Sequence, residues 1–383
     1  MPVSSLEIII LAAGKGKRMH SSLPKVLHQV AGKPLLGHVI DAAAQLEPVK
    51  IHVVVGHGKD QVIGQFAKSS GDYPEIDWVE QLEQLGTGHA VQQVIPNIAQ
   101  DSSVLMLTAD VPLISPDTLM PLCSAMPAFP LALLTAELSD PTGLGRIIRD
   151  DTNSVCGIVE EKDASPLQRT ICEINSGIMC ARAGDLRKWL ALLDNDNAQA
   201  EYYLTDIVEI ASGLGNPICA LQPQQNFEVE GINSRAQLAR VERIYQRQQA
   251  DRLMESGVTI IDPARVDIRG EVNIGSDTVL DVNTLIIGPT TIGKNVRIAP
   301  NCVITASQIG DHSALHPNTV VEQAVVGENV NVGPFARLRP GTQLSNDVRV
   351  GNFVEIKNAQ LADGSKVNHL SYVGDATVGR NTN

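Results

Sequence analysis

A six-residue repeat of aliphatic side chains runs through the C-terminal part of the chain. The repeat contains Ile268, Ile274, Leu280, Ile286, Ile292, Ile298, Ile304, then Ile309, Leu315, Val321, then Val326, Val332, Leu338, Leu344, Val350, Ile356, and finally Leu361, Val367, Val373. The phase slips by one residue between these runs, and Gly, Asn and Asp lie between the aliphatic positions. This pattern predicts a parallel β-helix with short stacked strands and tight corners. A β-sandwich would instead alternate with period two and need hairpin turns.

The part of the chain before the repeat has a different hydrophobic pattern. With 383 residues, the chain is longer than one hydrophobic core usually organises, so at least two domains are expected. Up to about residue 230, short β-rich runs alternate with helical patterns, which predicts a mostly parallel, doubly wound α/β sheet. A capping box at Ser234–Gln237 opens a charged helix. We predict three segments, 1–233, 234–257 and 258–383.

Charge and cysteine usage limit the classes of partner. The chain has 30 Lys and Arg against 43 Asp and Glu, a net charge of −13, which argues against nucleic acid and anionic membranes as partners. The six cysteines show no metal-type spacing and no stretch reads as a secretory leader or membrane span, so a cytoplasmic protein is expected. A phosphorylated ligand would then need locally gathered cations.

Such cations follow the first predicted strand. Lys15, Lys17, Arg18 and Lys25 surround the small residues of loop 12–16, where backbone N–H groups can bind phosphate oxygens. The loop lacks the G-K-[ST] of a Walker A motif and the third glycine of a dinucleotide fingerprint. A surface turn with solvated lysines remains the alternative.

Several motifs occur in the order of one known family. They are L-A-A-G-x-G-x-R-M with P-K, Gln81 and Gln84–Ala90, Ala109–Leu113, Gly143–Ile147, Glu173–Gly177, Glu201–Asp206 and Glu228–Asn233. With the six-residue repeat, the chain resembles the bacterial bifunctional N-acetylglucosamine-1-phosphate uridyltransferase and glucosamine-1-phosphate acetyltransferase family. The resemblance implies a Rossmann-like nucleotidyltransferase domain followed by a left-handed parallel β-helix. The hand comes from the resemblance alone, because parallel β crossovers are ordinarily right-handed.

The resemblance implies two reactions of cell-wall precursor synthesis, for peptidoglycan and lipopolysaccharide. In the first, N-acetylglucosamine 1-phosphate attacks the α-phosphorus of UTP, giving UDP-N-acetylglucosamine and pyrophosphate. The nucleophile is already an anion, so no general base is needed and catalysis rests on positioning and charge neutralisation. Mg²⁺ is the expected metal, since it prefers oxygen ligands. In the second, acetyl-CoA acetylates glucosamine 1-phosphate.

The same comparison implies roles for individual residues. Asp110 and Asn233 would bind Mg²⁺, although Asp110 could also be a turn residue before Val111-Pro112, and Arg18 and Lys25 would act on phosphate. The implied nucleotide contacts are Leu11, Ala12, Ala13, Gly14, Lys25, Gln81, Gly86, Thr87, Thr108, Ala109 and Asp110. The implied sugar contacts are Gly145, Glu160, Asn175 and Asn233. Thr108 departs from the family, many members of which have an aromatic residue there.

The implied acetyltransferase site lies on the β-helix. Arg339 and Lys357 would hold the sugar phosphate, His369 would be the general base, and Tyr372 and Asn383 would line the amino-sugar pocket. A homotrimer is expected from the resemblance. Because the repeat is in full register at Val378–Asn383 without a polar cap, the chain is expected to be truncated within the β-helix, with little or no acetyl transfer.

Two alternatives remain open. A nucleotidyltransferase for another sugar, such as a glucose-1-phosphate adenylyltransferase, also carries a β-helix but would not need Arg339, Lys357 and His369. A non-catalytic assembly subunit of the same architecture would not need Lys25, Asp110 and Asn233 together.

Overall fold

A computed structural model describes residues 5–68, 73 and 75–383. The chain divides into two compact units, one of Met1–Val30 with Pro34–Val241 and one of Ala31–Lys33 with Glu242–Asn383. Ala31 belongs to the second unit because its N–H donates to the Glu242 carboxylate at 2.7 Å and its carbonyl accepts from Gly270 N–H at 3.0 Å. The division of the chain into the segments 1–233, 234–257 and 258–383 stays a prediction.

Strands and helices alternate up to residue 255. The strands are β1 Leu6–Leu11, β2 Gln29–Val30, β3 Lys33–Pro34, β4 Lys50–Val55, β5 Ile76–Glu80, β6 Ser103–Thr108, β7 Leu131–Glu137, β8 Arg146–Arg149, β9 Val155–Val159, β10 Glu173–Arg182 and β11 Ile218–Leu221. The α-helices are α1 Leu35–Ala44, α2 Lys59–Lys68, α3 Thr87–Val94, α4 Pro116–Ser124, α5 Ala183–Leu190, α6 Asp206–Gly213 and α7 Arg235–Glu255. Short 3₁₀ helices span Lys17–Met19, Lys25–Leu27, Ile95–Asn97, Gln168–Thr170, Asn226–Val229 and Pro263–Arg265. Among the described residues, no helix is long and apolar enough to cross a membrane.

The first unit is built on one mixed sheet with strand order β11-β7-β10-β6-β1-β4-β5, to which β8 and β9 attach through β10. Only β10 runs antiparallel to its neighbours β6 and β7 on the main path. Alternate side chains of a strand point to opposite faces of a sheet. Ile8 and Ile10 of β1 therefore pack in one hydrophobic core, and Ile9 packs in the other. The sheet is therefore covered on both sides, as predicted for a doubly wound α/β fold.

Helix α7 begins with side-chain hydrogen bonds. The Ser234 hydroxyl accepts from Gln237 N–H at 3.2 Å, and the Gln237 side-chain carbonyl accepts from Asn233 N–H at 2.8 Å. Both bonds satisfy N–H groups that a helix start would leave unpaired. Gly257, with φ of 95°, follows the helix end.

The second unit is a parallel β-helix of three seven-stranded sheets. The first sheet contains β12 Thr259–Ile260, β15 Val279–Leu280, β18 Arg297–Ile298, β21 Ala314–Leu315, β24 Asn331–Val332, β27 Arg349–Asn352 and β30 Lys366–His369. The second contains β13 Val266–Arg269, β16 Thr284–Ile287, β19 Val303–Thr305, β22 Val320–Glu322, β25 Arg337–Leu338, β28 Glu355–Lys357 and β31 Tyr372–Gly374. The third contains β14 Val272–Ile274, β17 Thr290–Ile292, β20 Gln308–Ile309, β23 Val325–Val326, β26 Gln343–Leu344, β29 Gln360–Leu361 and β32 Thr377–Val378.

Each sheet supplies one aliphatic residue per coil to a common core, so the six-residue period marks the three sides of the solenoid. The one-residue slips all fall at the corner between the second and third sheets. At that corner Ala306, Gln323, Asn358 and Asp375 have left-handed backbones, with φ of 45°, 44°, 43° and 50°. The left-handed residue lets the chain turn this corner with one residue fewer. The inward-facing aliphatic residues therefore stay aligned from coil to coil.

The residue type at the corner between the first and second sheets changes along the solenoid. Asn283, Asn301 and Asn318 occupy it in the lower coils, with φ near 60°, a conformation that Asn tolerates better than bulky residues. In the following coils the equivalent positions hold Phe335, Phe353 and Leu370, whose side chains are 52%, 56% and 76% exposed. The two phenyl rings stack with centroids 5.3 Å apart. We call these three side chains the apolar ridge.

Candidate active site

The loop after β1 packs closely on Lys25. Gly16 has a left-handed φ of 55°, and a Cβ added to it would lie 2.6 Å from Lys25 Cβ, so any larger residue would push the lysine away. Gly14 has no neighbour within 4 Å of such a Cβ, which leaves the backbone beside it accessible. The loop after β1 thus offers an open main chain at Gly14, close to the cation of Lys25.

The two predicted metal ligands meet at this lysine. Lys25 Nζ lies 2.5 Å from Asp110 Oδ2 and 3.1 Å from Asn233 Oδ1. Asp110 follows β6, and its carbonyl accepts from Ile232 N–H at 2.9 Å, which brings the segment before α7 to the carboxyl ends of the strands. The Lys25 and Asp110 side chains are only 14% and 18% exposed.

The donor set fits a magnesium ion. Two oxygens, one from a carboxylate and one from an amide, already converge on a single positive charge, and Mg²⁺ usually takes one or two protein oxygens together with phosphate oxygens and water. Within the described part of the chain, no group of three or more His, Cys, Asp or Glu residues could hold a metal ion. Asp110 and Asn233 are therefore the candidate pair.

A cavity of about 720 Å³ opens beside this pair. Its lining includes seven residues singled out from the sequence: Arg18, Thr108, Asp110, Gly145, Glu160, Asn175 and Asn233. The implied nucleotide contacts Leu11–Gly14, Gln81, Gly86, Thr87 and Ala109 do not line it, nor does Lys25. The Thr108 hydroxyl is buried and bonds to none of the described residues. The structure thus brings the implied sugar and metal residues together in one cavity.

Glu160 and Asn175 present polar groups to the cavity. Burial raises the pKa of Glu160, while a hydrogen bond from the Thr205 hydroxyl, 3.2 Å away, lowers it and the nearby charge of Asp163 raises it. Asn175 N–H donates to Gly145 O at 2.9 Å, and its side-chain carbonyl accepts from Gly177 N–H at 3.1 Å. Carboxylate and amide groups of this kind suit sugar hydroxyls and an N-acetyl group.

An ion pair between buried Arg146 and partly exposed Glu161, for which no role was predicted from the sequence, joins the two sugar-side loops. Arg146 Nη2 donates to Glu161 Oε2 at 2.6 Å, its other terminal nitrogen donates to Leu144 O, and Gly143 N–H donates to the same Glu161 oxygen at 3.2 Å. Arg146 directly follows Gly145, and Glu161 directly follows Glu160. Adjacency to two implied contacts is the signal that could have identified this pair.

The implied uridine contacts lie in a turn before α3. Gln81 is 3% exposed, and its amide nitrogen donates to Gly86 O at 3.0 Å. Gly86 has φ of 111°, and a Cβ there would overlap the Tyr202 backbone, so only glycine fits this turn. The Thr87 hydroxyl oxygen accepts from Leu204 N–H at 3.1 Å. Gln81, Gly86 and Thr87 are therefore held by fixed partners.

Three of the implied acetyltransferase residues, Arg339, Lys357 and Tyr372, lie on adjacent coils at the second sheet, whereas His369 is in the first sheet and Asn383 follows the last strand. Arg339 and Lys357 follow the paired residues Leu338 and Ile356, and Arg339 also donates to Glu355 at 2.7 Å. Tyr372 pairs with Glu355 on the next coil, and its hydroxyl lies over Gly374. His369, which is exposed, pairs with Asn352. Asn383 accepts a hydrogen bond from Asn368 at 2.8 Å.

Comparison with known proteins places this geometry in a family. Residues 8–147 match the MobA-like NTP transferase domain, and residues 265–352 match the GMPPB C-terminal domain. The chain is 52% identical over 381 residues to the Bifunctional protein GlmU of Marinobacter nauticus, an alignment that covers 100% of this chain and 83% of the relative. The chain belongs to the GlmU family. The resemblance stated from the motifs is thus confirmed, and membership makes the chain a nucleotidyltransferase and acetyltransferase.

A solved structure supports the fold of the first unit. The crystal structure of a UDP-glucose pyrophosphorylase complexed with UDP-glucose matches with a TM-score of 0.53 over 64% of this chain and 99% of that chain, at 14% identity. At that identity the likeness concerns the fold alone. The predicted Rossmann-like domain is confirmed, and the three parallel sheets of the second unit are consistent with the predicted left-handed β-helix.

Proposed function

We propose that the first unit transfers a uridylyl group from UTP to N-acetylglucosamine 1-phosphate. One observation carries the proposal: Lys25, Asp110 and Asn233 form a single cluster, and Asp110 and Asn233 also line a cavity with Glu160 and Asn175. A phosphate-binding lysine and a candidate metal pair thus adjoin groups suited to an acetylated sugar. Such an arrangement serves to join two mutually repelling anions.

The bond changes balance without a proton transfer. An oxygen of the sugar phosphate forms a bond to the α-phosphorus of UTP, and the bond from that phosphorus to the bridging β-oxygen breaks, so pyrophosphate leaves with the electron pair. Lys25 donates hydrogen bonds to phosphate oxygens and offsets the charge on the leaving group, as does Arg18 at the rim of the cavity. Glu160, Asn175 and the Gly145 backbone orient the sugar, so the attacking oxygen is aligned before reaction.

Asp110 and Asn233 would hold Mg²⁺, which when bound neutralises phosphate charge. Their own role is to fix its position at the carboxyl ends of β6 and the segment before α7. Leu11–Gly14, Thr87, Thr108 and Ala109 complete the proposed nucleotide contacts.

The second unit is the proposed site of acetyl transfer from acetyl-CoA to glucosamine 1-phosphate. Arg339 and Lys357 occupy equivalent positions on neighbouring coils, where strands lie about 4.8 Å apart, so both cations can reach one phosphate. His369 would accept the proton of the attacking amine, while Tyr372 and Asn383 contact the sugar. Three chains are proposed to assemble through their β-helices, and the exposed apolar ridge supports this assembly.

The test of the first activity is pyrophosphate release from a panel of UTP, CTP and ATP, each with N-acetylglucosamine 1-phosphate or glucose 1-phosphate. We expect the highest kcat/KM for UTP with N-acetylglucosamine 1-phosphate. A clear preference for ATP with glucose 1-phosphate would contradict the proposal and favour an adenylyltransferase. Thiol release from acetyl-CoA with glucosamine 1-phosphate measures the second activity in parallel.

A further inference from the structure

We infer that His89 is a positioning residue for base selectivity: it holds the Gln81 side chain so that only the amide oxygen of Gln81 is left to meet the base. The inference rests on the proposed use of UTP and on Gln81 as a base contact. His89 lies in the motif Gln84–Ala90, but the family resemblance implies no role for it.

The orientation of the Gln81 amide follows from its neighbours. One nitrogen position lies 3.0 Å from Gly86 O, and a backbone carbonyl only accepts hydrogen bonds. The atom facing Gly86 must therefore be the amide nitrogen. The same nitrogen lies 3.0 Å from His89 Nδ1, so its two hydrogens are both used and Oε1 is the only polar atom of the side chain left for a ligand.

The tautomer of His89 follows in turn. Because Nδ1 accepts from the Gln81 amide, it carries no proton, and the neutral ring carries its proton on Nε2. The ring is carried by the first turn of α3, where the preceding Gly88 N–H donates to Tyr202 O at 2.8 Å. It also packs against the Tyr202 ring, with centroids 6.4 Å apart.

The arrangement prevents the Gln81 amide from turning over. A flipped amide would place Oε1 against Gly86 O and, in the Nε2–H tautomer, against the lone pair of His89 Nδ1, and both contacts would be repulsive. With the flip blocked, Gln81 presents an acceptor, which suits the N3–H donor of uracil. Cytosine has an unprotonated N3 at that edge, so its lone pair would face the Gln81 oxygen. A polar site that rejects the wrong partner in this way discriminates strongly.

The test compares His89→Leu with His89→Asn. Leucine removes the acceptor and so one of the two contacts that block the flip, whereas the asparagine side-chain oxygen can replace Nδ1. For His89→Leu we expect the ratio of kcat/KM for UTP to that for CTP to fall roughly tenfold, the equivalent of one hydrogen bond. The KM for N-acetylglucosamine 1-phosphate should stay within about twofold, and His89→Asn should restore most of the ratio. His312→Asn, a histidine change in the second unit, is the control and should alter neither value.

Several outcomes would overturn the inference. Equal losses for UTP and CTP in His89→Leu would mean that His89 supports the fold but not selectivity. A long-range ¹H–¹⁵N spectrum of the wild-type chain, with the His89 signals assigned by their loss in His89→Asn, should show the Nε2–H tautomer, and a proton on Nδ1 would contradict the inference independently of activity. If the wild-type chain does not turn over UTP, the proposed function fails and the inference fails with it. If it does and only the ratio is unmoved, the inference alone fails.

Discussion

Residues that hold the site in place lie next to, or are bonded to, the residues implied as ligand contacts. Arg146 and Glu161 sit next to Gly145 and Glu160, and His89 is bonded to Gln81. Arg146 is almost fully buried, with a side chain 2% exposed. Its charge is therefore stabilised mainly by Glu161 and the Leu144 carbonyl, and the pair adds a side-chain link between loops that the β8–β9 pairing already brings together.

Removing the buried cation should be costly. Arg146→Leu leaves the Leu144 carbonyl and the partly exposed Glu161 without their shared donor, so we expect a loss of about 1 to 3 kcal/mol in the free energy of unfolding. Urea denaturation measures this loss, and the KM for the sugar phosphate should rise more than the KM for UTP. Arg149→Leu is the matched control on the same strand, because the Arg149 side chain is 31% exposed, against 2% for Arg146, and its ion pair should contribute about 1 kcal/mol or less. Equal effects of the two changes would contradict the role given to Arg146.

Helix α6 begins in an acidic environment that includes the cavity-lining Glu160. Its first residue, Asp206, has its pKa raised from 3.8 to about 6 by burial and by the charges of Asp194, Glu160, Glu209 and Asp163. The native state therefore keeps this proton to a higher pH than the unfolded chain. Between about pH 4 and pH 6 the native state binds more protons, so the stabilisation from this group is lost as pH rises.

Asp206→Asn removes the cost of ionising this carboxylate. We expect the variant to be about 1 kcal/mol more stable than the wild type at pH 8, after allowance for solvent screening, and no more stable at pH 4. Thermal unfolding across that pH range is the measurement. A gain of the same size at both pH values would show that the effect does not come from the titration of Asp206.

At the scale of the whole molecule, the structure of a single chain gives no reason for the exposed apolar ridge. Phe335, Phe353 and Leu370 hold left-handed backbones and exposed side chains at a corner where the lower coils use Asn. Bulky residues are unfavourable in this conformation, so a benefit elsewhere is expected. Burial of the ridge between copies of the chain would provide it.

The corresponding prediction concerns mass in solution. Sedimentation velocity should give about three times the 41.0 kDa of one chain, and the double change Phe335→Asn with Phe353→Asn should shift the protein towards the single-chain mass. Asn suits the left-handed corner, so the coil itself should remain folded. Val325→Thr, an exposed apolar position on another sheet, is the control. A wild-type chain that sediments as a monomer would contradict the proposed assembly.

The sequence predicted the repeating parts of the molecule better than the side-chain contacts. The aliphatic period identified the inward columns because burial recurs with every side of the solenoid, and the position of Asp110 after a buried strand placed it at the carboxyl edge of the sheet. The bond between Lys25 and Asn233 joins residues 208 positions apart, and the His89–Gln81 bond depends on which way an amide faces. Neither is encoded in a local pattern, since both depend on how the folded backbone directs the side chains.

The most direct test of the account replaces the carboxylate shared by Lys25 and the proposed metal. Asp110→Asn keeps the size of the side chain but removes its charge, whereas Asp101→Asn makes the same change at an exposed turn. With UTP, N-acetylglucosamine 1-phosphate and Mg²⁺, we expect pyrophosphate release by Asp110→Asn to fall at least about 100-fold, with Asp101→Asn unchanged and both proteins folded. An Asp110→Asn protein that releases pyrophosphate at the wild-type rate would contradict the assignment of this cluster as the catalytic centre.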